Sequence, residues 1–320
     1  MKRYLVTGGT GFIGSALVHR LVKDGYTVRV FDNNSRGNAE RLKPIQNKIE
    51  YIEGDIRNEK QVLGACQDVH GVFHLAYVNG TRFFYEKPDL VLEVAVKGLL
   101  NIIQAASQHK VEEFYLASSS EVYQSPPTVP TDETAPLVIP DVLNPRYSYG
   151  GGKMISELFT LHVGKKYFKR LMIFRPHNVY GPAMGWEHVI PEFIRKLSVI
   201  PRESGESPFS IQGTGEETRS FIYIDDFIEA LMCMFHRGEH MQIYHLGTME
   251  EVSMRSLAER ISQKMECAIK IVPGDLRAGS TQRRCPDTKK IEALGFVPKV
   301  SLNEGLTKTI GWYLKELNHG

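Results

Sequence analysis

The stretch Tyr4-Leu5-Val6-Thr7-Gly8-Gly9-Thr10-Gly11-Phe12-Ile13-Gly14 decides how this chain folds. Its first residues are apolar and strand-like, and Phe12, Ile13, Ala16, Leu17, Leu21 and Val22 then recur at the spacing of one helix face. Strand, glycine turn and helix in succession make a phosphate cradle. Glycine lets the backbone turn tightly, and the helix N-terminus offers unpaired N–H groups and a favourable dipole to a pyrophosphate. A second strand is read at Tyr26–Phe31, with Asp32 at its end. That acid lies about 20 residues beyond the turn, where a carboxylate accepts from the hydroxyls of an adenosine ribose. It would also repel a 2′-phosphate, so the expected dinucleotide is NAD rather than NADP, with Arg36 nearby as the opposing feature.

With 320 residues, 42% of them hydrophobic, the chain is long enough for one large domain and a smaller lobe. A net charge of +2 gives no basis for a nucleic-acid or membrane-surface partner. Cys66, Cys233, Cys267 and Cys285 lie far apart, so neither a zinc site nor disulfides are expected, and a reducing cytoplasm suits them. No apolar run is read as approaching the roughly 18 residues of a membrane span. The apolar start runs directly into the glycine turn, as a strand does and a signal peptide does not.

Further strands are read at Glu50–Glu53, Gly71–Leu75, Glu113–Ala117 and Leu171–Phe174, with helices at Val91–Ala106 and Ser148–Tyr167. Asn33–Asn47 reads as loop with a short helix, and Ser125–Pro145 as a long proline-rich loop of the kind that covers active sites. This alternation predicts an α/β fold with a doubly wound parallel sheet whose ligand sites gather at the strands' C-terminal ends. Beyond Asn178 the rhythm changes. Pro182–Gly215 is rich in proline and glycine, Ser220–Ile224 reads as a short strand, Asp225–His236 and Ser253–Lys264 as helices, and Tyr244–Leu246 as a last strand of the sheet.

Tyr149 and Lys153, four apart on one helix face, pair a phenol with an ammonium that would favour its ionised form and make it a usable base. Ser119, at a strand end, could share a hydrogen bond to the same substrate oxygen. Asp55 could reach an adenine amino group or equally cap a helix. His74 and His177 lack a third ligand, so no metal is expected.

With these residues in place, the chain resembles the extended short-chain dehydrogenase/reductases, within them the nucleotide-sugar epimerase/dehydratase group. The resemblance rests on Thr7–Gly14, Gly54–Ile56, His74–Ala76, Ser118–Tyr123, Tyr149 with Lys153, Arg175–Pro182 and Thr218–Phe221. It implies a Rossmann domain at 1–177, with 220–247 partly returning to it, and a smaller C-terminal substrate-binding lobe at 178–219 and 248–320. It also implies that Gly8, Gly11 and Gly14 contact the pyrophosphate of NAD, Asp32 the adenosine ribose, and Asp55 and Ile56 the adenine, with Phe12, Ile13 and Asn33 also in the cofactor site. Leu75, Ala76, Pro176, Tyr149 and Lys153 would complete the cofactor site, and Ser119, Tyr149, Lys153 and Glu121 the catalytic group. Ser120, Asn178, Arg219 and Arg277 would bind a nucleoside-diphosphate sugar, although the acid expected in an Arg-x-Gly-acid motif is replaced by Ser280. Ala95 stands where the epimerases usually carry asparagine, Gln124 where a glycine is usual, and Glu121 where 4,6-dehydratases and glucuronate decarboxylases carry glutamate.

The expected function is thus transient oxidation at a sugar's C4, foremost by a 4-epimerase. The alternatives are a dehydratase or decarboxylase using Glu121 and, from a different class, an NAD-sensing protein without turnover. The same resemblance implies a homodimer formed through the helices at Val91–Ala106 and Ser148–Tyr167.

Overall fold

A computed structural model describes residues 2–201, 205–276 and 279–319. The chain opens with β1 (Arg3–Thr7), α1 (Phe12–Lys23), β2 (Thr27–Asp32), β3 (Ile49–Glu53), α2 (Glu59–Ala65) and β4 (Gly71–His74). It continues with α3 (Thr81–Glu86), α4 (Pro88–Glu93), α5 (Leu99–Gln108), β5 (Glu113–Ala117), α6 (Tyr147–His162) and β6 (Arg170–Pro176). β7 (Val179–Tyr180), α7 (Val189–Ser198), β8 (Ser207–Gln212), β9 (Thr218–Ser220), β10 (Ile222–Tyr223), α8 (Ile224–Arg237) and β11 (Gln242–Leu246) follow. The last elements are β12 (Glu251–Ser253), α9 (Met254–Lys264), β13 (Ile269–Gly274), β14 (Arg283–Arg284), α10 (Lys289–Glu292) and α11 (Leu302–His319).

Seven strands form one parallel sheet in the order β11-β6-β5-β4-β1-β2-β3. Side-chain alternation assigns its two faces. Tyr4, Val6, Val30, Phe73, Tyr115, Met172 and Phe174 point into one core, which continues through α8 to Tyr313 of α11. Leu5, Phe31, Val72, Phe114, Leu116, Leu171 and Ile173 point into the other, beneath α2 and α5. Both faces are covered over the inner strands, which is why these are almost continuously apolar, while the edge strand β3 is half-exposed. The order reverses between β1 and β4, so the cleft beyond Thr7 and His74 is the sheet's topological switch point.

Several boundaries differ from the sequence reading. The segment read as the strand Ser220–Ile224 divides into β9 and β10 around Phe221, with Ile224 already in α8. The predicted helix Ser148–Tyr167 ends at His162 and gives way to a 3₁₀ turn at Gly164–Lys166. α4 and α5 are joined through a π-helical turn at Val94–Gly98 into one helix, Pro88–Gln108, long and apolar enough by composition to cross a membrane. The sequence reading found no such stretch. Asp89, Glu93 and Lys97 interrupt its apolar run, but Val91, Ala95, Leu99, Ile102 and Ile103 are buried within the protein, as in the core helix of an α/β layer. The proline- and glycine-rich region read from Pro182 to Gly215 holds α7, whose buried Ile190, Phe193, Ile194 and Leu197 fall at helical spacing.

Candidate active site

The glycine turn fits a pyrophosphate for reasons visible in its packing. Gly8 has φ +73°, and a Cβ there would lie 2.7 Å from the Ala76 backbone nitrogen; at Gly14 it would lie 2.0 Å from the Gly8 carbonyl oxygen. The turn thus brings the start of α1 against the β1 and β4 strand ends. Gly11 caps α1 without a side-chain acceptor, and the helix's first turn carries no acid, so its N–H groups remain available to an anion. Asp32 is buried at the end of β2, where its carboxylate accepts from the Thr10 N–H (3.0 Å) and the Asn34 N–H (2.9 Å).

A cavity of about 110 Å³ is lined by Gly8, Gly11, Asp32, Asn33, Arg36, Asp55, Ile56, Leu75, Ala76 and Tyr77. A second, of about 350 Å³, shares Gly8, Gly11, Arg36, Leu75 and Tyr77 with it. The larger one also takes in Phe12, Ile13, Gly14, Ser119, Ser120, Glu121, Tyr149, Lys153, Pro176 and Asn178. Together they make one trough from Asp32 at the end of β2 and Asp55 just beyond β3 to the Ser119–Tyr149 pair. Its dimensions, anion-ready helix end and ribose-ready acid fit a dinucleotide.

At the adenine end, Asp55 is occupied by Arg57, which binds it from its backbone N–H (2.8 Å) and guanidinium (2.7 Å). Arg57 accordingly holds its carboxyl down at about 2. The capping role left open in the sequence belongs to Asn58, whose side chain accepts from the Gln61 N–H at the start of α2. Arg36 lines the same cavity as Asp32 but is committed elsewhere: it pairs with Glu187 through both guanidinium nitrogens (3.2 and 3.1 Å) and packs over Phe83.

At the other end, Ser119 follows β5 and accepts from the Glu121 N–H (3.1 Å), and its hydroxyl is hydrogen-bonded to Tyr149. Burial pushes the Tyr149 phenol up to about 12, although the Ser119 bond works in the opposite direction. Lys153 is buried too, and desolvation lowers it to about 7 against the pull of Glu157. Its Nζ donates to the Ala117 carbonyl (2.6 Å) and lies 3.8 Å above the centre of the Tyr77 ring, against 5.9 Å for the Tyr149 ring. This corrects the expected electrostatics: in the protein alone burial, not the ammonium, dominates the phenol. Phe84 stacks on Tyr149 at 4.7 Å and lines the larger cavity, whereas Phe83 lies beneath Arg36. His74 is buried against Thr7, and desolvation lowers it to about 3. Among the described residues no three metal-ligating side chains converge.

Glu121 lies between two guanidinium groups, Arg284 at 2.6 Å and Arg146 at 3.5 Å. Burial opposes its charge, but Arg284 and then Arg146 more than compensate and lower its pKa. Arg284 also lines the cavity and was missed by the sequence reading. It is placed by β14, which pairs in parallel with β9 so that Arg284 stands beside Arg219. Its local sequence, Gln282-Arg283-Arg284-Cys285, carries no motif that could have marked it.

Asn178 adopts φ +39° and donates to the Ser220 carbonyl (2.8 Å) while lining the cavity. Arg219 binds the carbonyls of Thr218, Thr281 and Gln282; burial, then Arg284, lowers it to about 10. Gln124, standing where the resemblance expects glycine, takes the left-handed φ of +53° that glycine would favour. Trp186 packs on Tyr313 of α11, while His188 reaches the cavity. Arg277 lies outside the described residues.

Residues 4–247 match the NAD dependent epimerase/dehydratase family. A putative UDP-glucose 4-epimerase of Methanocaldococcus jannaschii is 32% identical, covering 96% of this chain and 97% of its own length. A UDP-N-acetyl-alpha-D-glucosaminuronate decarboxylase of Bacillus cytotoxicus is 31% identical, covering 98% of each chain. The solved dTDP-glucose 4,6-dehydratase of Streptomyces venezuelae, with NAD bound, superposes with a TM-score of 0.85 at 27% identity, covering 99% of this chain and 98% of that one. The trough built on the glycine turn and the extent of these matches lead to one conclusion: the chain is an enzyme of the NAD-dependent epimerase/dehydratase family.

Proposed function

We propose that the protein is a nucleotide-sugar 4-epimerase that binds a nucleoside-diphosphate sugar in the larger cavity, with its C4 hydroxyl against Ser119 and Tyr149. The observation that favours epimerisation over dehydration is the state of Glu121. A carboxylate held between Arg284 and Arg146 is a weak base, poorly suited to removing a carbon-bound proton. Epimerisation needs no such base.

When bound, NAD supplies reversible oxidation at C4 and, in its oxidised form, a positive charge that favours phenolate at Tyr149. The chain's own groups handle the proton. Ionised Tyr149 accepts it from the C4 hydroxyl, with Ser119 donating to the same oxygen, and the reverse transfer completes the product. Lys153 favours that ionised state whenever it carries its charge. Asn178 and the cationic residues Arg284, Arg219 and Arg277 are assigned to the nucleotide-sugar side, where two phosphates need fixed donors.

A second reading is decarboxylation of a uronic acid. Arg146, Arg219 and Arg284 together act on the single carboxylate of Glu121, and this cationic excess beside Ser119 suits an acidic sugar. Incubation with UDP-, GDP-, dTDP- and CDP-sugars, uronic acids included, separates the readings. An isomer of unchanged mass supports epimerisation, released carbon dioxide supports decarboxylation, and a 4-keto product absorbing in alkali supports dehydration. Glu121→Gln is expected to spare epimerisation. Tyr149→Phe is expected to lower kcat by about 10²–10⁴-fold while NAD remains bound. No turnover of any sugar by an NAD-loaded protein would contradict the enzymatic reading and favour a sensor.

The same proposal includes a cytoplasmic homodimer. Leu92 on α4 and Ile155 and Leu158 on α6 are exposed apolar residues on two helices that pack side by side. Buried against a second copy, they would form the centre of a helical interface.

A further inference from the structure

We infer that Tyr77 is a positioning residue for Lys153: the face of its ring holds the ammonium where the dinucleotide trough opens onto the substrate cavity. Lys153 Nζ lies 3.8 Å from the centre of that ring and within 2.6 Å of the Ala117 carbonyl oxygen, a grip from two sides. Tyr77 follows β4, lines both cavities, and meets Tyr149 edge-on at 5.1 Å while its hydroxyl donates to the Tyr149 carbonyl (3.4 Å).

The chain makes room for this ring. A Cβ on Gly152 would lie 2.3 Å from the Tyr77 hydroxyl and 2.8 Å from the Ala95 Cβ, so only a residue without a side chain at 152 and a small one at 95 accommodate the phenol. Among the described residues Lys153 forms no ion pair that would otherwise hold it. The carboxylate that acts on it, Glu157 one turn further along α6, is taken by Arg175 from β6 (2.8 and 2.6 Å) and by Ser118. The other titratable groups around it give it no negative charge. His74 from β4 is kept neutral by burial, Tyr149 is protonated, Tyr77 is itself raised well above 10, and Glu121 is committed to Arg284 and Arg146. A buried ammonium without its own anion is held by dipoles and π-electrons, and a desolvated cation–π contact is among the stronger of these.

The consequence for the reaction rests on the function proposed above, but the grip on the ammonium is a property of the chain itself. The test is a ¹³C-lysine NMR titration of the full-length protein, with the Lys153 signal assigned by Lys153→Arg. Tyr77→Phe keeps the ring and is expected to leave the midpoint near its native value of about 7. Phenylalanines with successive ring fluorines at position 77 should move it down stepwise. Tyr77→Leu should take it to about 6, and the alkaline side of the kcat profile, where Lys153 loses its charge, should move to lower pH with it. A midpoint indifferent to fluorination, or displaced as far by Phe as by Leu, overturns the inference. The fluorinated series decides the matter if the leucine variant does not fold. A fluorine-sensitive midpoint in a protein that turns over no nucleotide sugar would contradict the proposed function and leave this inference standing; turnover with an insensitive midpoint would do the reverse.

Discussion

Lys153 binds fewer protons in the folded chain than in the unfolded one wherever the pH lies between its lowered value of about 7 and the ordinary 10.5. Stability owed to this group therefore rises as pH climbs through that window, and its burial penalty is fully present below pH 7. The advantage of Lys153→Met over the native protein should be largest near pH 7 and shrink towards pH 10, by at most about 5 kcal/mol. Thermal unfolding of both proteins across that range checks it; a difference independent of pH would contradict it. Tyr149 and Lys153 were legible as a pair because one helix places them four residues apart. Their electrostatics were not, since the burial of both and the ring of Tyr77 come from other elements. Arg284 escaped for the same reason: a strand pairing 65 residues later in the chain, β14 on β9, sets it beside Arg219.

At the scale of elements, β1, the glycine turn and α1 act as one unit, and Gly14 is where they touch most closely. Gly14→Ala would drive a Cβ to 2.0 Å from the Gly8 carbonyl oxygen, a contact only backbone movement can relieve. It is expected to cost about 1–3 kcal/mol by denaturant unfolding and to weaken NAD binding by calorimetry. Unchanged affinity would show that the turn does not need its present shape. β1, β2, β4, β5 and β6 were readable because both faces are buried, which makes them short apolar runs between turn residues, whereas the edge strand β3 is half-exposed and carries acids among its apolar residues. α7 was obscured by the prolines and glycines around it, and the division of Ser220–Ile224 into β9 and β10 by pairing with two different partners, β12 and β14 on one side and β7 on the other. Such pairings are set by the tertiary fold, not by local composition.

Across the whole molecule, the loops after β2 and the segment before α7 meet beside the trough. Arg36 from the loop after β2 pairs with Glu187, and Arg41 donates to both the Thr10 carbonyl and the Ala183 carbonyl, each at 2.8 Å. These contacts tie the dinucleotide end to the segment that bears His188. Glu187→Gln should release NAD several-fold faster in an exchange experiment with labelled NAD, while an unchanged rate would mean the pair has no part in retention. Leu158→Glu should convert the proposed dimer to monomer in sedimentation; a native protein already monomeric would contradict the dimer.

On the proposed mechanism, chemistry begins at the sugar's C4, beside Tyr149. A nucleotide sugar accepted by the enzyme and carrying deuterium at C4 tests it most directly. The expected product is a C4 isomer that keeps its deuterium, formed with a primary isotope effect and lost in Tyr149→Phe; deuterium exchanged with solvent, or full activity in Tyr149→Phe, would contradict that mechanism.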